Sequence, residues 1–295
     1  MVELVDMLPV QNILGEGVLW NARSARLWWT DIEGRRLFRY DPAARGLDEI
    51  ATPERLCSFA FVAGGERLVA AFESGLALYD PANGAVEWLY RLEHGAAPVR
   101  FNDGRTDRQG RFWAGTTVEG DGREPLGRLH CLDRSGRVTR QTDPVFVSNA
   151  LCTSPDGSRL YFADSPRRTI FAYDLDRISG VLSNRRLFVR TPEGAFPDGA
   201  NVDREGFVWN AHWGAGQIVR YAPDGSIDRM VEVPASQPSS IAFGGPEMNL
   251  LFVTTARDGL KGDILLRQPS AGNLFVYKTD ITGLPDADFI FDQTK

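Results

Sequence analysis

The chain has 295 residues, 43% of them hydrophobic and 11% aromatic, which suffices for one large or two ordinary globular domains and excludes disorder as its main state. Lys and Arg number 33 against 39 Asp and Glu, giving a net charge of -6 with no basic cluster, so we expect no nucleic-acid partner. No apolar run reaches the roughly 20 residues of a membrane helix, and the opening residues lack a secretory signal pattern. We therefore expect a soluble, cytoplasmic protein with no membrane partner.

A strand that ends near an aromatic residue and then turns recurs six times along the chain. The copies are Arg36-Leu37-Phe38-Arg39-Tyr40, Leu76-Ala77-Leu78-Tyr79, Arg128-Leu129-His130-Cys131-Leu132, Thr169-Ile170-Phe171-Ala172-Tyr173, Gln217-Ile218-Val219-Arg220-Tyr221 and Asn273-Leu274-Phe275-Val276-Tyr277. An apolar strand precedes each copy, at residues 27–30, 68–72, 112–115, 160–163, 207–211 and 250–254. Outer strands follow several copies, for example at residues 85–90, 181–189 and 227–233.

A further strand precedes these, and three of its hairpin turns are Asp107-Arg108-Gln109-Gly110, Ser154-Pro155-Asp156-Gly157 and Asp203-Arg204-Glu205-Gly206. Four strands per unit and six units of about 49 residues predict an all-β fold, a six-bladed β-propeller of four-stranded blades around a central channel. We expect a single domain over residues 1–295, closed by pairing of residues 2–6 or 9–14 beside the blade that carries residues 273–277 and 289–291. A two-sheet sandwich is the alternative, but it does not explain the period.

Six positions begin the first strands of the predicted blades and should converge at the mouth of the channel. They are Glu16, Ser58, Asn102, Asn149, Asp198, and Ser239 or Ser240. Two carboxylates and two amides, with no Cys or His among them, suit a hard divalent cation completed by waters. The alternative is that these side chains cap backbone groups at the channel end. Asp156 and Asp224 share the Pro-Asp-Gly tripeptide of Asp198 but stand between two strands, so we predict that they serve in turns.

The motifs around these positions resemble those of the SMP-30/gluconolactonase/regucalcin family of six-bladed propeller lactonases, over essentially the whole chain. The motifs are Gly15-Glu16-Gly17-Val18-Leu19-Trp20, Arg100-Phe101-Asn102-Asp103-Gly104, Arg111-Phe112-Trp113-Ala114-Gly115-Thr116, Ser148-Asn149-Ala150-Leu151, Pro197-Asp198-Gly199 and Thr254-Thr255-Ala256-Arg257-Asp258-Gly259. The resemblance implies that Glu16, Asn149 and Asp198 bind one divalent metal ion. It also implies that Arg100 and Asn102 face the substrate, with Asn102 close enough to reach the metal or its water.

Two residues depart from the family pattern, and one further assignment depends on the alignment. Val18 and Ala150 stand where the family usually has Pro and Gly, and neither position is a ligand. The acidic substrate contact of the family follows the Ala-Gly-Thr stretch, and Glu119 is the nearest candidate. The alternative for Glu119 is a solvated loop carboxylate.

Lactone hydrolysis requires an activated water and a stabilised oxyanion, and a divalent cation can serve both needs. Asp198 is the candidate general base, because a carboxylate beside the metal can take the proton of the attacking water. Arg100 stays protonated, so it can hold ring or carbonyl oxygens; an ion pair on the propeller face is its alternative role. Asp103 alternates away from Arg100 along the strand and is expected to brace the loop.

The sequence offers no second kind of active site. His94, His130 and His212 do not cluster, and we predict a packing role for His130 and either packing or a place at the pocket rim for His212. No Ser or Cys has the surroundings of a nucleophile. The cysteines are odd in number and widely separated, so they are predicted to be buried free thiols: Cys57, Cys131 and Cys152.

These observations predict a metal-dependent hydrolase that opens an aldono-1,4- or 1,5-lactone to its aldonic acid in carbohydrate catabolism, with the small-molecule sugar lactone as its partner. The metal can be Ca²⁺, Zn²⁺, Mg²⁺, Mn²⁺ or Fe²⁺, because an oxygen-rich site accepts each of them. Two alternatives remain: a non-catalytic calcium-binding or regulatory propeller, and a propeller phosphotriesterase or lactonase for apolar esters. The Arg100, Asn102 and Asp198 set favours the enzyme over metal storage, which does not need the arginine.

Overall fold

The computed structural model describes residues 2–93, 99–120, 124–141 and 144–292. These residues form six four-stranded antiparallel sheets, with one short α-helix and one short 3-10 helix. Each sheet is one blade, and the predicted fold class, an all-β six-bladed propeller with four-stranded blades, is confirmed. The chain divides into two compact units, unit 1 with Met1–Ala51 and Thr191–Pro285, and unit 2 with Thr52–Arg190 and Asp286–Lys295. The single domain expected from the sequence stays a prediction.

Unit 1 contains three blades, each written here from the innermost strand outward. The first is β2 (Gly15–Asn21), β3 (Arg26–Asp31), β4 (Arg36–Asp41) and β5 (Gly46–Ala51). The second is β18 (Phe196–Val202), β19 (Val208–Trp213), β20 (Gln217–Tyr221) and β21 (Ile227–Glu232). The third is β22 (Pro238–Gly244), β23 (Leu250–Thr255), β24 (Leu274–Thr279) and β1 (Val2–Leu8), and α1 (Gly262–Leu266) lies between β23 and β24 in the chain. Among the innermost strands, β22 packs against both β2 and β18.

Unit 2 contains the other three blades of the described residues. They are β6 (Leu56–Phe61), β7 (Leu68–Phe72), β8 (Gly75–Asp80) and β9 (Ala85–Arg91); β10 (Val99–Thr106), β11 (Phe112–Val118), β12 (Leu129–Leu132) and β13 (Val138–Arg140); and β14 (Ser148–Thr153), β15 (Arg159–Asp164), β16 (Thr169–Leu175) and β17 (Leu182–Arg190). The 3-10 helix (Ser165–Arg167) follows β15. The innermost strand β10 packs against both β6 and β14.

The N-terminal strand lies in the predicted blade, whereas residues 289–291 do not. Strand β1 pairs antiparallel with β24, so the predicted pairing of residues 2–6 with the last blade is confirmed. The placement of residues 289–291 in that blade is wrong, because they belong to unit 2. There Phe289 is fully buried, forms a parallel bridge with Val62, and donates its N–H to the carbonyl of Phe61 at 2.7 Å. Burial of an aromatic ring outweighs its nearness in sequence to the last blade.

Burial falls from the innermost strand of a blade to its outermost strand. Strands β6, β14 and β22 are buried at every position, whereas β5 and β17 are largely exposed. Second strands carry the large rings, and Trp29 stacks on Phe38 of the next strand with ring centroids 4.8 Å apart. The predicted packing role of the second-strand tryptophans is confirmed by their burial: Trp28, Trp29, Trp113 and Trp209. The inner strands therefore rest on a rigid apolar support.

Candidate functional site

All six innermost strands in the described sheets carry the same irregularity. One extra residue is inserted against the second strand, after Glu16 in β2, Leu56 in β6, Phe101 in β10, Asn149 in β14, Pro197 in β18 and Pro238 in β22. Such β-bulges bend a strand and re-aim its side chains, and they are common beside active sites. The candidate residues lie at or next to these bulges: Glu16, Ser58, Asn102, Asn149, Asp198, Ser239 and Ser240.

In unit 1, the bulges of β2 and β18 carry the two candidate carboxylates. Asp198 is 5% exposed, and its backbone carbonyl accepts a hydrogen bond of 2.7 Å from Nδ2 of Asn210. A Cβ on Gly199 would lie only 2.7 Å from the carbonyl oxygen of Ser239, so this bulge presses on β22 where only glycine fits. Glu16 is partly exposed, and its Oε2 accepts the N–H of Gly17, whose φ of +58° is the left-handed value that glycine tolerates.

In unit 2, two amides of neighbouring innermost strands meet. Nδ2 of Asn102 donates to Oδ1 of Asn149 at 3.0 Å and to the carbonyl of Ser148 at 2.9 Å. Nδ2 of Asn149 donates to Oγ of Ser165 at 2.9 Å. The amide of Asn149 is therefore held with its oxygen toward Asn102, and an amide oxygen has a second lone pair beyond the one that this bond uses.

The residue after Asn149 has an unusual backbone conformation. Ala150 is fully buried and has a φ of +56°, in the left-handed region that favours glycine. This is the position at which the sequence departs from the family pattern of glycine. A left-handed non-glycine residue costs about 1 kcal/mol or more, and such strain is characteristic of functional sites.

Arg100 and Glu119 come together in a charged cluster of unit 2. Nη1 of Arg100 donates to Oδ1 of Asn102 at 2.8 Å, and its Nε donates to Glu119 Oε1 at 3.3 Å. Arg55 binds the same carboxylate with both terminal nitrogens, at 2.7 and 2.9 Å, and its Nε donates to Glu73 at 2.7 Å. Two guanidinium groups thus hold Glu119 beside the amide pair.

The electrostatic surroundings keep Glu119 ionised. The hydrogen bonds from Arg55 lower its pKa most, Arg100 lowers it further, and partial burial opposes both. The side chain keeps 34% of its surface exposed, so its oxygens retain access to solvent. A carboxylate held by two arginines is more restrained than the solvated loop residue that was its alternative, although its substrate role stays a prediction.

Sequence reasoning missed Arg55. It is separated from Glu119 by 64 residues and stands outside every family motif quoted above. The one available signal is its position three residues before Ser58, the first-strand position of its own blade. Ser58 itself is fully buried.

The serines of β22 serve as braces. Oγ of Ser239 lies 3.0 Å from Oγ1 of Thr254 and donates to the carbonyl of Gly15, and the N–H of Ser240 donates to Oγ1 of Thr254 at 3.0 Å. These bonds tie β22 to β23 and to the start of β2. The alternative role, capping of a backbone group by the side chain, is seen at Ser239, whereas the bond of Ser240 to Thr254 uses its backbone N–H.

Several predicted structural roles are confirmed. Oδ2 of Asp103 accepts the N–H of Leu151 at 2.8 Å, bracing β10 against β14. Asp156 accepts from Ser154 and Ser158, and Asp224 accepts the N–H and Oγ of Ser226, so both aspartates serve in turns. The cysteines are buried free thiols: Cys57, Cys131 and Cys152.

The two described histidines are buried, and His94 lies outside the described residues. Burial lowers the pKa of both His130 and His212 to about 4, so both are neutral near pH 7. His130 packs against Phe101 with ring centroids 5.3 Å apart, as its predicted packing role requires. Nε2 of His212 lies 3.0 Å from the hydroxyl of Tyr221, and its 1% exposure excludes the rim position.

The donor atoms fit a hard divalent cation. Over the described ranges, no group of three or more His, Cys, Asp and Glu side chains is arranged to hold a metal ion. The predicted ligands Glu16, Asn149 and Asp198 are two carboxylates and one amide, which are donor types that such a cation prefers. In the described part of the chain, no helix has the length and apolar character that a membrane crossing requires.

The fold and these motifs define a propeller with an oxygen-rich polar site, and comparison with known proteins identifies its family. Residues 14–257 match the SMP-30/Gluconolactonase/LRE-like region, and the chain belongs to this family. It is 39% identical to the L-arabinolactonase of Azospirillum brasilense over 289 residues, covering 96% of this chain and 94% of that protein. It is 34% identical to the 6-deoxy-6-sulfogluconolactonase of Pseudomonas putida, covering 94% of this chain and 95% of that protein.

A solved structure extends the likeness to the fold. The calcium-binding protein regucalcin from Agrobacterium tumefaciens superposes with a TM-score of 0.91 at 29% identity, covering 97% of each chain. The family resemblance found in the sequence is therefore confirmed. The two curated relatives are lactonases, which confirms the predicted enzyme class, a hydrolase of carboxylic esters.

Proposed function

We propose that the protein hydrolyses a sugar lactone, an aldono-1,4- or 1,5-lactone, to the aldonic acid in a metal-dependent reaction of carbohydrate catabolism. The observation that carries the proposal is the hydrogen-bonded series of Arg100, Asn102 and Asn149. It sets a permanent positive charge two hydrogen bonds away from a candidate metal ligand. A neutral ester that gains negative charge as its carbonyl is attacked matches such a site.

Three residues are proposed to hold the metal, as the family resemblance implies: Glu16, Asn149 and Asp198. A bound divalent cation polarises a carbonyl and lowers the pKa of a water, which is the chemistry that lactone opening needs. The support is the oxygen-only donor set, the fixed amide of Asn149 and the family resemblance. The identity of the metal among Ca²⁺, Zn²⁺, Mg²⁺, Mn²⁺ and Fe²⁺ is left open by this donor set.

Asp198 is proposed to be the general base. The backbone of Asp198 is fixed by the hydrogen bond from Asn210 and by the close approach of Gly199 to β22. In the proposed reaction Asp198 takes the proton of the attacking water, whose oxygen bonds to the carbonyl carbon and leaves a tetrahedral oxyanion. The ring C–O bond breaks as the carbonyl re-forms. The proton then passes to the leaving ring oxygen, which becomes a hydroxyl of the product.

Arg100, Asn102 and Glu119 are proposed to bind the substrate. The guanidinium of Arg100 donates to lactone oxygens. Asn102 links Arg100 to Asn149, because its Oδ1 accepts from Arg100 and its Nδ2 donates to Asn149. Glu119, ionised because of its arginine partners, accepts hydrogen bonds from sugar hydroxyls. The names of the relatives, an arabinolactonase and a sulfogluconolactonase, favour five- and six-carbon aldonolactones as the substrate class.

The non-catalytic calcium-binding function is kept as a second candidate because of the likeness to a regucalcin described as calcium-binding. Substitution of Asp198 separates the two. We expect Asp198→Asn to abolish lactone hydrolysis while weakening metal binding only partly. Asp224→Asn is the control, since it changes the aspartate of another Pro-Asp-Gly tripeptide, whose side chain binds Ser226 in a turn.

Unchanged turnover in Asp198→Asn contradicts the proposed base, and metal binding without turnover by the wild-type protein on every lactone favours the calcium-binding candidate. The cytoplasmic location inferred from the sequence stays a prediction.

A further inference from the structure

Two buried aspartates occupy the same place in two different blades. Asp31 is the last residue of β3 and pairs with Gly15, and Asp164 is the last residue of β15 and pairs with Ser148. Each therefore stands opposite the residue that immediately precedes a candidate metal ligand. Both residues are 0% exposed.

The carboxylate of Asp31 binds the backbone that leads into β2. It accepts the N–H of Ile13 at 3.0 Å and the N–H of Leu14 at 2.9 Å, which are the two residues before the strand. It also accepts the N–H of Gly34 at 3.0 Å and Nη2 of Arg36 at 2.9 Å. The beginning of β2, and with it Glu16, is thus fixed from within its own blade.

Asp164 repeats this arrangement in unit 2. One of its oxygens accepts the N–H of Phe146 at 3.2 Å and the N–H of Val147 at 3.3 Å, the two residues before β14. Arg167 lies 3.4 Å from the other oxygen. The following residues are Ser148 and the candidate ligand Asn149.

The corresponding place in three other blades has no acidic residue. Thr116, His212 and Thr255 pair with the residues that precede Asn102, Asp198 and Ser239. Burying a carboxylate costs free energy unless several hydrogen bonds compensate it. In both blades the carboxylate makes such bonds to the two peptide N–H groups just before the strand that carries the candidate ligand, and so fixes the start of that strand.

We propose that Asp31 and Asp164 are positioning residues for the metal site, which hold Glu16 and Asn149 through the backbone at the start of β2 and β14. The inference rests on the proposed function, because it takes Glu16 and Asn149 as ligands. Groups that orient metal ligands from behind typically change metal affinity about 10- to 100-fold when removed. A merely structural aspartate would lower stability without that selective loss of affinity.

The test compares Asp31→Asn and Asp164→Asn with two matched controls, Asp203→Asn and Asp107→Asn. The control aspartates are also 0% exposed and accept two backbone N–H groups, but these belong to turns at the far ends of β18 and β10. Full-length proteins are stripped with chelator and titrated with Mn²⁺, whose free ion is followed by electron paramagnetic resonance. Thermal unfolding of each metal-free variant is measured alongside.

We expect the Kd for Mn²⁺ to rise about 10- to 100-fold in Asp31→Asn and Asp164→Asn and less than about twofold in the controls, at comparable losses of Tm. Equal loss of affinity in all four variants, or a change within twofold in the first two, overturns the proposal. Failure of the wild-type protein to bind Mn²⁺, Ca²⁺ or Zn²⁺ overturns the proposed metal site as well, which separates the two failures.

A milder pair covers the case in which the aspartate variants do not fold. Arg36→Gln and Arg167→Gln remove a guanidinium partner of each aspartate from positions one third to one half exposed, so the chain should fold. We expect a rise of about two- to fivefold in the Kd for Mn²⁺, because a partly exposed ion pair contributes less than about 1 kcal/mol. Arg186→Gln, which breaks the exposed pair with Asp174, is the control, and equal affinities in all three variants contradict the proposal.

Discussion

The substitution Arg55→Met tests the charged cluster around Glu119. Methionine keeps the length and apolar stem of the arginine, but removes its two bonds to Glu119 and its bond to Glu73. Glu119 then keeps only the longer contact of 3.3 Å with Arg100 among these ion pairs. If Glu119 binds sugar hydroxyls, the substitution loosens substrate binding without touching the groups assigned to the reacting carbonyl.

The structure sets the size of this effect. Hydrogen bonds to charged groups contribute about 1.5–3 kcal/mol each when buried, but Glu119 keeps 34% of its side-chain surface exposed and solvent screens it. If about 1.4 kcal/mol of substrate binding depends on the restraint that these two bonds place on Glu119, their loss raises KM roughly tenfold. The kcat should change less than threefold, because an interaction equally strong in the ground and transition states affects KM alone.

The pH dependence provides a second readout. Arg55 is the main cause of the lowered pKa of Glu119, so this pKa rises toward its ordinary value in Arg55→Met. Protonation removes the acceptor, so the KM of the variant should climb at a higher pH than that of the wild type as the solution is acidified. Initial rates of proton release from an aldonolactone, measured in a pH-stat between pH 4 and 7, give both quantities.

Arg220→Met is the control. Arg220 is also a buried arginine bound to several carboxylates, among them Asp203 and Asp228, but it belongs to the middle of unit 1's second blade. The substitution Arg220→Met should lower Tm and leave KM unchanged. If Arg55→Met also lowers Tm without changing KM or the pH profile, then Glu119 is a structural residue and its substrate role is refuted.

Three further predictions concern stability. Burial lowers the pKa of His130 from 6.5 to about 4, so the free energy of unfolding of the wild type falls as pH decreases through this window. Between pH 7.5 and pH 5, urea unfolding should show a loss that is about 2 kcal/mol smaller in His130→Phe than in the wild type. Equal losses in the two proteins refute this. Asp286→Ala leaves the guanidinium of Arg105 buried without that ion pair and should cost about 3 kcal/mol, and a loss under 1 kcal/mol argues against it. Ala150→Val should cost at least about 2 kcal/mol at this positive φ, whereas Ala150→Gly should stay within about 1 kcal/mol, because relief of strain offsets the lost buried methyl; equal effects of the two substitutions contradict the backbone argument.

The repeat could be predicted because each blade repeats its own local signals. An apolar second strand recurs in every unit of about 49 residues, five of the six third strands in the described blades contain Phe or Tyr, and glycine turns recur in several units; local pairing then decides which strands are neighbours. The pairing of β1 with β24 follows from the same logic, since an unpaired outer strand needs a partner. Residues 289–291 follow no such repeat, and the burial of Phe289 in unit 2 depends on contacts that no sequence period records.

The candidate site was predictable to the extent that it lies in the repeat. Asn102, Asn149 and Asp198 each stand eight residues before a turn glycine, Gly110, Gly157 and Gly206, and this shared spacing points to equivalent places in three blades. Bulges do occur beside all three. Arg55 could not be found in this way, because it reaches Glu119 from another blade and carries no motif. The orientation of the Asn149 amide depends on Ser165, which the sequence pattern does not connect with it.

The central claim is metal-dependent opening of a sugar lactone, and proton release tests it most directly. Chelator-stripped protein and protein restored with Ca²⁺, Zn²⁺, Mg²⁺ or Mn²⁺ are compared in weak buffer on five- and six-carbon aldono-1,4- and 1,5-lactones, with a phosphotriester as the non-lactone substrate. We predict rapid acid release from at least one aldonolactone, lost on stripping and recovered with metal. Release at the spontaneous rate on every lactone, or turnover that survives complete removal of the metal, contradicts the account.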